Sequence, residues 1–333
     1  MNKREISKEI YNKVIEELPL RIIEMLPEEP EKLLPYAKRV KEIQFSSNVK
    51  EDVRRLMRKY LLDDTEYLKT FYYVMAITFY HKKTVIKPKL EIVVAQTGSG
   101  KSNLTAKLLR QNHNYIFVDS DKYKHYRFDA QYIANNYQLL YPFLTGPDAY
   151  NHAENIYEYA IDKKYNIIKE TAPSANKGLL EMDVQQFKKK DYKISVHILS
   201  VGELNSALST HERYELQIIH GLKTSKLTSL LRHDESYNSL IRNTEEILNN
   251  KDISSISVYK RGVKEENFNP IEIYPSEEYK NPIEAIIDGR QIDNAKTKIE
   301  FDDRYKLLKK QMKERNAPQE QYNQLEEIKL RSK

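Results

Sequence analysis

The sequence predicts an α/β fold: a three-layer domain around a parallel sheet, with a helical extension before it and a helical tail after it. Two observations carry the central domain. From Leu90 to Lys260 short strand-like runs alternate with helical stretches, the order that parallel strands and crossover helices impose. The first run, Ile92-Val-Val-Ala95, leads straight into a glycine-rich turn and then into residues that start a helix. A third observation sets the flanks, where apolar residues recur only at the three-to-four spacing of helices. The expected organisation is a helical region at 1–85, the α/β domain at 86–265 and charged helices at 266–333.

In the first region Ile10, Val14, Ile15 and Leu18 form one apolar stripe, and Val49, Val53, Leu56, Met57, Tyr60 and Leu61 form another. Leu26-Pro-Glu-Glu-Pro30 separates them, because proline lacks the N–H that a continuing helix needs. A third helix, Thr65 to Tyr80, is apolar over most of its surface, which predicts that it is sandwiched. After the first strand, others are expected at Tyr115 to Val118, Tyr165 to Lys169, Tyr192 to Ser200 and Ile256 to Lys260. Helices at Lys101 to Arg110, Asn151 to Lys164, Lys177 to Lys189 and Gly202 to Ile218 alternate with them. The basic, Ser/Thr-rich stretch from Lys223 to Leu240 has no clean period and is expected as a mobile, irregular flap. Past Gly262 come a turn-rich segment to Pro282 and two charged helices, Phe301 to Arg315 and Gln319 to Arg331. Their weak apolar faces predict a solvated or docking appendage.

The glycine-rich turn carries the chemistry. Ala95-Gln96-Thr97-Gly98-Ser99-Gly100-Lys101-Ser102 has the pattern of a phosphate-binding (Walker A) loop, with Ala95 where the strict form has glycine. Gly98 and Gly100 let the backbone from Gln96 to Asn103 turn its N–H groups onto phosphate oxygens. Lys101 reaches the outer phosphates, the Ser102 hydroxyl ligates Mg²⁺, and the new helix points its positive end at the same anion. The expected ligand is a nucleoside triphosphate with Mg²⁺.

Composition narrows the class. The chain has 333 residues, 40% apolar and 31% charged, the make-up of a globular protein. It has no cysteine, which excludes a disulfide framework and any thiolate metal site and makes the cytoplasm the expected compartment. No stretch approaches the ~20 apolar residues that span a bilayer, and the first residues lack the apolar core of a secretory signal. A net charge of +6, with both signs interleaved, reads as a solvated surface rather than a nucleic-acid footprint.

Phosphoryl transfer to an alcohol needs a base near the acceptor proton and positive charge around the transferring group. Asp121, just past a strand end, is a candidate base. Asp119 would point the same way if the strand continued, and its other reading is a helix cap or a group near Mg²⁺. Spacing alone does not choose between them. Arg213, on a helix, and Arg232, in the flap, are candidate charge clamps, against the ordinary fate of an arginine on the surface.

The ordered set of motifs resembles the zeta toxin family, the kinase half of bacterial toxin–antitoxin modules, over about residues 90 to 262. The residues that carry the resemblance are the GSGKS loop with Lys101, Val118-Asp-Ser-Asp121, Asn151-His-Ala-Glu154, Tyr165-Asn-Ile-Ile-Lys-Glu170-Thr171, His211-Glu-Arg213-Tyr-Glu215, Arg232 and Tyr259-Lys-Arg-Gly262. The resemblance implies an ATP- or GTP-dependent kinase acting on a UDP-activated amino sugar, UDP-N-acetylglucosamine in the family's usual case, whose product blocks cell-wall precursor synthesis. It implies Asp121 as the base, with Lys101, Arg213 and Arg232 neutralising the transferring phosphoryl group. Glu154, Glu170 and Thr171 would bind the sugar. It also implies a small helical antitoxin in trans, and the 1–85 helices, longer than the family's usual extension, raise the reading that they serve as one in cis or as scaffold. After Glu170 the family commonly has glycine, threonine and a nearby arginine, whereas this chain has Thr171-Ala-Pro-Ser174.

Two other functions fit a phosphate loop. A polynucleotide or RNA end kinase also joins such a loop to an aspartate base, and 25 tyrosines offer stacking platforms, though no aromatic-basic track is present. A nucleotide-dependent switch protein would need no small acceptor and no Asp121.

Overall fold

The computed structural model describes residues 3–40, 49–176, 178–221, 227–262, 269–291 and 295–332. The chain divides into two compact units, each discontinuous in sequence: residues 1–86 with 114–167, and residues 87–113 with 168–333. The 1–85 region falls wholly in the first unit and the 266–333 region wholly in the second, while the 86–265 region contributes to both.

In chain order the first unit opens with β1 (Lys3–Arg4), α1 (Lys8–Glu17), α2 (Leu20–Met25), α3 (Pro30–Leu33), β2 (Arg39–Val40), α4 (Glu51–Lys59) and α5 (Asp64–Phe79). The second unit then begins with β3 (Lys89–Val94) and α6 (Lys101–Gln111). The first unit resumes with β4 (Tyr115–Phe117), α7 (Ser120–Tyr123), α8 (Ala130–Asn136) and α9 (Tyr141–Asp162), and the chain changes unit within β5 (Asn166–Thr171). The rest of the second unit is α10 (Leu179–Lys188), β6 (Lys193–Ser200), α11 (Glu203–Ile219), α12 (Leu230–Glu245), β7 (Ile253–Arg261), β8 (Pro270–Tyr274), α13 (Pro282–Arg290), α14 (Ala295–Glu314) and α15 (Gln319–Leu330).

Within the first unit α5 is sandwiched, as its composition requires: Tyr67, Leu68, Phe71, Tyr72 and Met75 have no exposed surface. Asp63 caps it, accepting from the Glu66 amide at 2.9 Å. The amphipathic α4 packs Met57 against Ile133 of α8 and Leu144 of α9. A network of buried charge ties the segments together. Asp148 of α9 accepts from the Leu62 amide at 3.0 Å and from Arg127 at 3.1 Å, and Asp64 accepts from Arg39 at 2.5 Å.

In the second unit β3 pairs in parallel with β6, Lys89 opposite Lys193 through Val94 opposite Ile198, and β6 in parallel with β7. Strand β8 closes that edge antiparallel to β7, so the sheet is mostly parallel with one reversed edge strand. Sequence reading missed β8 because it lies between prolines 270 and 275 in a turn-rich segment. No helix of the described residues is long and apolar enough to cross a membrane.

Two expectations are corrected. The flap expected at Lys223 to Leu240 is helical from Leu230 onward, residues 222–226 lying outside the described ones. Ser229 caps this helix, accepting from the Arg232 amide at 3.3 Å, and its Ser and Thr residues fold back on the preceding turn, as Thr244 does onto the Leu240 carbonyl. The tail is not a solvated appendage. Phe301, Tyr305, Leu308 and Met312 of α14 and Leu325 and Ile328 of α15 are buried in one core with Ala207 and Leu208 of α11.

Candidate functional site

The predicted phosphate loop has the expected form. Gly98 and Gly100 adopt φ of +76° and +93°, the left-handed region that glycine occupies without strain, and α6 begins at Lys101. Side chains fix the loop from outside. Gln96 donates its amide N–H to the Val201 carbonyl beyond β6 at 2.6 Å, and the Thr97 amide donates to Ser236 Oγ of α12 at 3.2 Å. Gly98 lies so close to α11 that a Cβ there would meet the Ser206 carbonyl oxygen at 1.9 Å. The Lys101 ammonium donates to the Ala95 carbonyl at 2.9 Å.

Four predicted residues converge at this loop within the second unit. Glu170, near the end of β5, accepts from Thr105 Oγ1 of α6 at 2.5 Å. Its charge bears on Lys101 together with those of Arg213 and Arg232. Arg213 stands exposed on α11 and donates to Thr228 Oγ1 at 3.2 Å. Arg232, in the first turn of α12, pairs with Glu235 at 3.1 Å and reaches the Pro173 carbonyl at 3.5 Å. Thr171 uses its carbonyl to accept from the Ala95 amide, at 3.3 Å.

Burial pushes the Lys101 ammonium down to about 8. Glu170 opposes that shift, and the two arginines deepen it. The sign has a measurable consequence for any polyphosphate held at the loop. Near pH 8 about half of the free lysines are neutral, the anion favours the charged form, and binding therefore takes up protons. Titration calorimetry at pH 8 in buffers of different ionisation enthalpy will register that uptake. At pH 6 it will vanish, and the affinity will fall as pH rises through 8; equal proton balance at both pH values would contradict the placement of Lys101.

The remaining predicted residues lie in the first unit. Asp119 caps α7, its Oδ1 accepting from the amides of Asp121 and Lys122 at 3.1 Å each, which is the helix-cap reading of that residue. Asp121 keeps an 83% exposed carboxylate, paired with Lys124 at 2.5 Å. Glu154 of α9 is half-exposed and faces Lys3 at 3.3 Å. Around it the Asn151 side chain accepts from the Val40 amide at 2.9 Å, and His152 stacks on Tyr67 with ring centres 4.1 Å apart.

The residues present fit a phosphate chain with Mg²⁺. Among the described residues the Ser99 hydroxyl and the Gln96 side-chain oxygen are buried in the loop without a hydrogen-bond partner, and Ser102 is exposed at the head of α6. The described residues hold no cluster of three or more His, Cys, Asp or Glu that could bind a metal. Mg²⁺ needs none, since it keeps water ligands and binds through one or two protein oxygens and the phosphates.

Sequence reasoning missed Thr105, Ser206, Ser236 and His233, which brace the loop and the helix that follows it. His233 is fully buried, with Nε2 2.8 Å from Ser206 Oγ and Nδ1 2.9 Å from Asp234 Oδ1. The arrangement has the contacts of a Ser–His–Asp triad, but Ser206 is itself completely buried and its hydroxyl lies 3.1 and 3.0 Å from the Gly202 and Glu203 carbonyls. It joins α11 to α12 and is no nucleophile.

The family description Zeta toxin matches residues 75–276. A protein named Toxin zeta from Enterococcus hirae is 26% identical over 222 residues, 66% of this chain and 77% of its own length. Its namesake from Streptococcus pyogenes is 25% identical over the same shares. A solved structure from work on the PezAT chromosomal toxin–antitoxin system of Streptococcus pneumoniae superposes with a TM-score of 0.60 at 17% identity, covering 77% of this chain and 98% of that one. That likeness is one of fold.

Proposed function

The chain belongs to the zeta toxin family of kinases, and from that premise we propose that it transfers the γ-phosphate of ATP or GTP to a hydroxyl of a UDP-activated amino sugar, UDP-N-acetylglucosamine being the acceptor to test first. The observation that carries the reading is the gathering of Lys101, Arg213 and Arg232 at one phosphate loop, where the charges of both arginines bear on the buried Lys101 ammonium. A triphosphate supplies the anion that such a concentration of positive charge requires.

In this mechanism the main chain of Gln96 to Asn103 holds the phosphates, and Ser102 would hold a Mg²⁺ ion, which would supply positive charge against the phosphates. Asp121 accepts the proton of the attacking hydroxyl. Lys101, Arg213 and Arg232 stabilise the charge that spreads over the phosphoryl oxygens. Glu154, Glu170 and Thr171 contact the sugar. The phosphorylated precursor then starves cell-wall synthesis in the cytoplasm. The test is transfer of labelled γ-phosphate to a panel of UDP-sugars and RNA 5′ ends. Labelling of RNA alone replaces the acceptor, and hydrolysis indifferent to every acceptor returns the chain to the switch proteins.

A toxin needs restraint, by a small helical antitoxin in trans or by residues 1–85 in cis. Truncation at residue 80 is a poor test of the second, because α5 is a core helix whose loss unfolds the first unit. Lys3 is the better probe, since it pairs with Glu154 and also donates to Asn155 at 3.1 Å. If the N-terminal segment restrains the enzyme by occupying Glu154, Lys3→Ala lowers the KM for the sugar with no loss of stability beyond ~1 kcal/mol. An unchanged KM leaves residues 1–85 as scaffold.

A further inference from the structure

Helices α14 and α15 lie beyond residues 75–276, and they grip the two helices that carry the arginines. Arg304 binds Glu212 through two bonds of 2.7 and 2.6 Å, and Arg315 binds the fully buried Glu215 at 2.7 and 2.5 Å. Arg331 reaches Asp234 and Glu203 at 3.0 Å each. The carboxylates are placed around the arginines in a regular way. Glu212 and Glu215 are three residues apart and share one face of α11, so Arg213 between them is turned about 100° from Glu212 and about 160° from Glu215, away from the tail. On α12, Asp234 follows Arg232 by two residues.

The grip continues to the phosphate loop. From Arg331 a chain of polar contacts runs through Asp234 and His233 to Ser206, whose carbonyl abuts Gly98. Burial works against the Asp234 carboxylate, but the bonds from Arg331 and His233 outweigh it and hold its pKa below the usual range. The ion pairs are seated beside an apolar core, where Leu208 meets Leu308, Met312 and Leu325. Such pairs select one geometry, because a slipped register leaves a buried charge alone.

We propose that the α14–α15 hairpin is a clasp for the arginine clamp: Arg304, Arg315 and Arg331 are positioning residues that set the rotation of α11 and α12 and so aim Arg213 and Arg232 at the transferring phosphoryl group. The inference rests on the kinase reading of Lys101, Arg213 and Arg232. Its test uses a readout that needs no acceptor. The full chain is titrated with Mg-ADP alone and with Mg-ADP plus fluoroaluminate, a mimic of the phosphoryl group in flight.

The wild type binds the fluoroaluminate complex more tightly than ADP. Arg331→Met and Arg315→Met lose that preference by about tenfold to a hundredfold while their affinity for ADP stays within threefold. Arg331→Lys, which keeps a charge at the least buried of the three contacts, recovers most of it. If the wild type shows no preference, the clamp reading fails and takes the clasp with it. If the wild type shows one and folded Arg331→Met keeps it, losing only thermal stability, the hairpin is merely structural and the clasp alone is overturned. Should Arg315→Met not fold, Arg331→Met and Arg331→Lys decide the matter by themselves.

Discussion

Replacement of Lys101 by alanine lowers single-turnover phosphoryl transfer by about three orders of magnitude or more, the largest loss expected of any one side chain in the second unit. The ammonium sits where the charges of Glu170, Arg213 and Arg232 meet, and it donates within its own loop. Arg213 and Arg232 start from α11 and α12, not from the loop, so neither replaces a cation anchored at the first residue of α6. Arg213→Ala and Arg232→Ala each cost about a hundredfold to a thousandfold in the transfer step, with less effect on ground-state nucleotide affinity. Rapid-quench measurement of γ-phosphate transfer separates the two quantities. A Lys101→Ala enzyme within tenfold of the wild type would remove the phosphate loop from the chemistry.

The second large effect is on stability. Gly98→Ala places a methyl group 1.9 Å from the Ser206 carbonyl oxygen and 2.9 Å from Thr210 Cγ2, at a φ of +76°. The left-handed conformation costs an alanine about 1 kcal/mol, and forcing loop and helix apart adds about 2 kcal/mol or more. Relief is blocked, because Ser206 is held by the α11 carbonyls and by His233. Gly221→Ala is the control: its φ is +71°, but among the described residues nothing lies within 4 Å of the added carbon. Differential scanning calorimetry should therefore find Gly98→Ala lower in Tm than Gly221→Ala by about 4–8 °C, with nucleotide binding lost in the first and kept in the second. Equal melting temperatures would mean that loop and helix are not in contact.

Both effects trace back to residues whose meaning was local in sequence. Strand, glycines and helix follow one another within fifteen residues, so the loop could be read directly. The two acids after β4 could not be told apart by spacing, because the cap that Asp119 makes depends on where the strand stops. Elsewhere the decisive partner lies far along the chain. Nothing near α12 announces that its serine supports a glycine turn 139 residues earlier, and its hydroxyl-rich sequence has the composition of a loop. The two helices of the tail were legible and docking was one of their two readings, but the surface they dock on was not. Phe301, Tyr305, Leu308 and Met312 do keep a helical period, but lysines and acids dilute it, and the glutamates that its arginines bind lie about a hundred residues upstream. Charge complementarity across such distances has no local signature.

The loop after β5 is held in an unusual way. Asn243, Glu235 and Glu246 accept from the amides of Ser174, Ala175 and Gly178, and Arg242 donates to the carbonyls of Ser174 and Ala175. Every one of these bonds ends on main chain. The segment's course is thus set largely by α12 and its C-cap, its own side chains adding the Ser174 hydroxyl, which accepts from the Asn176 amide at 3.2 Å. Under the kinase proposal, exchanges at Ala175 and Asn176 would alter the face this loop offers an acceptor while leaving in place the Pro173 carbonyl that Arg232 reaches.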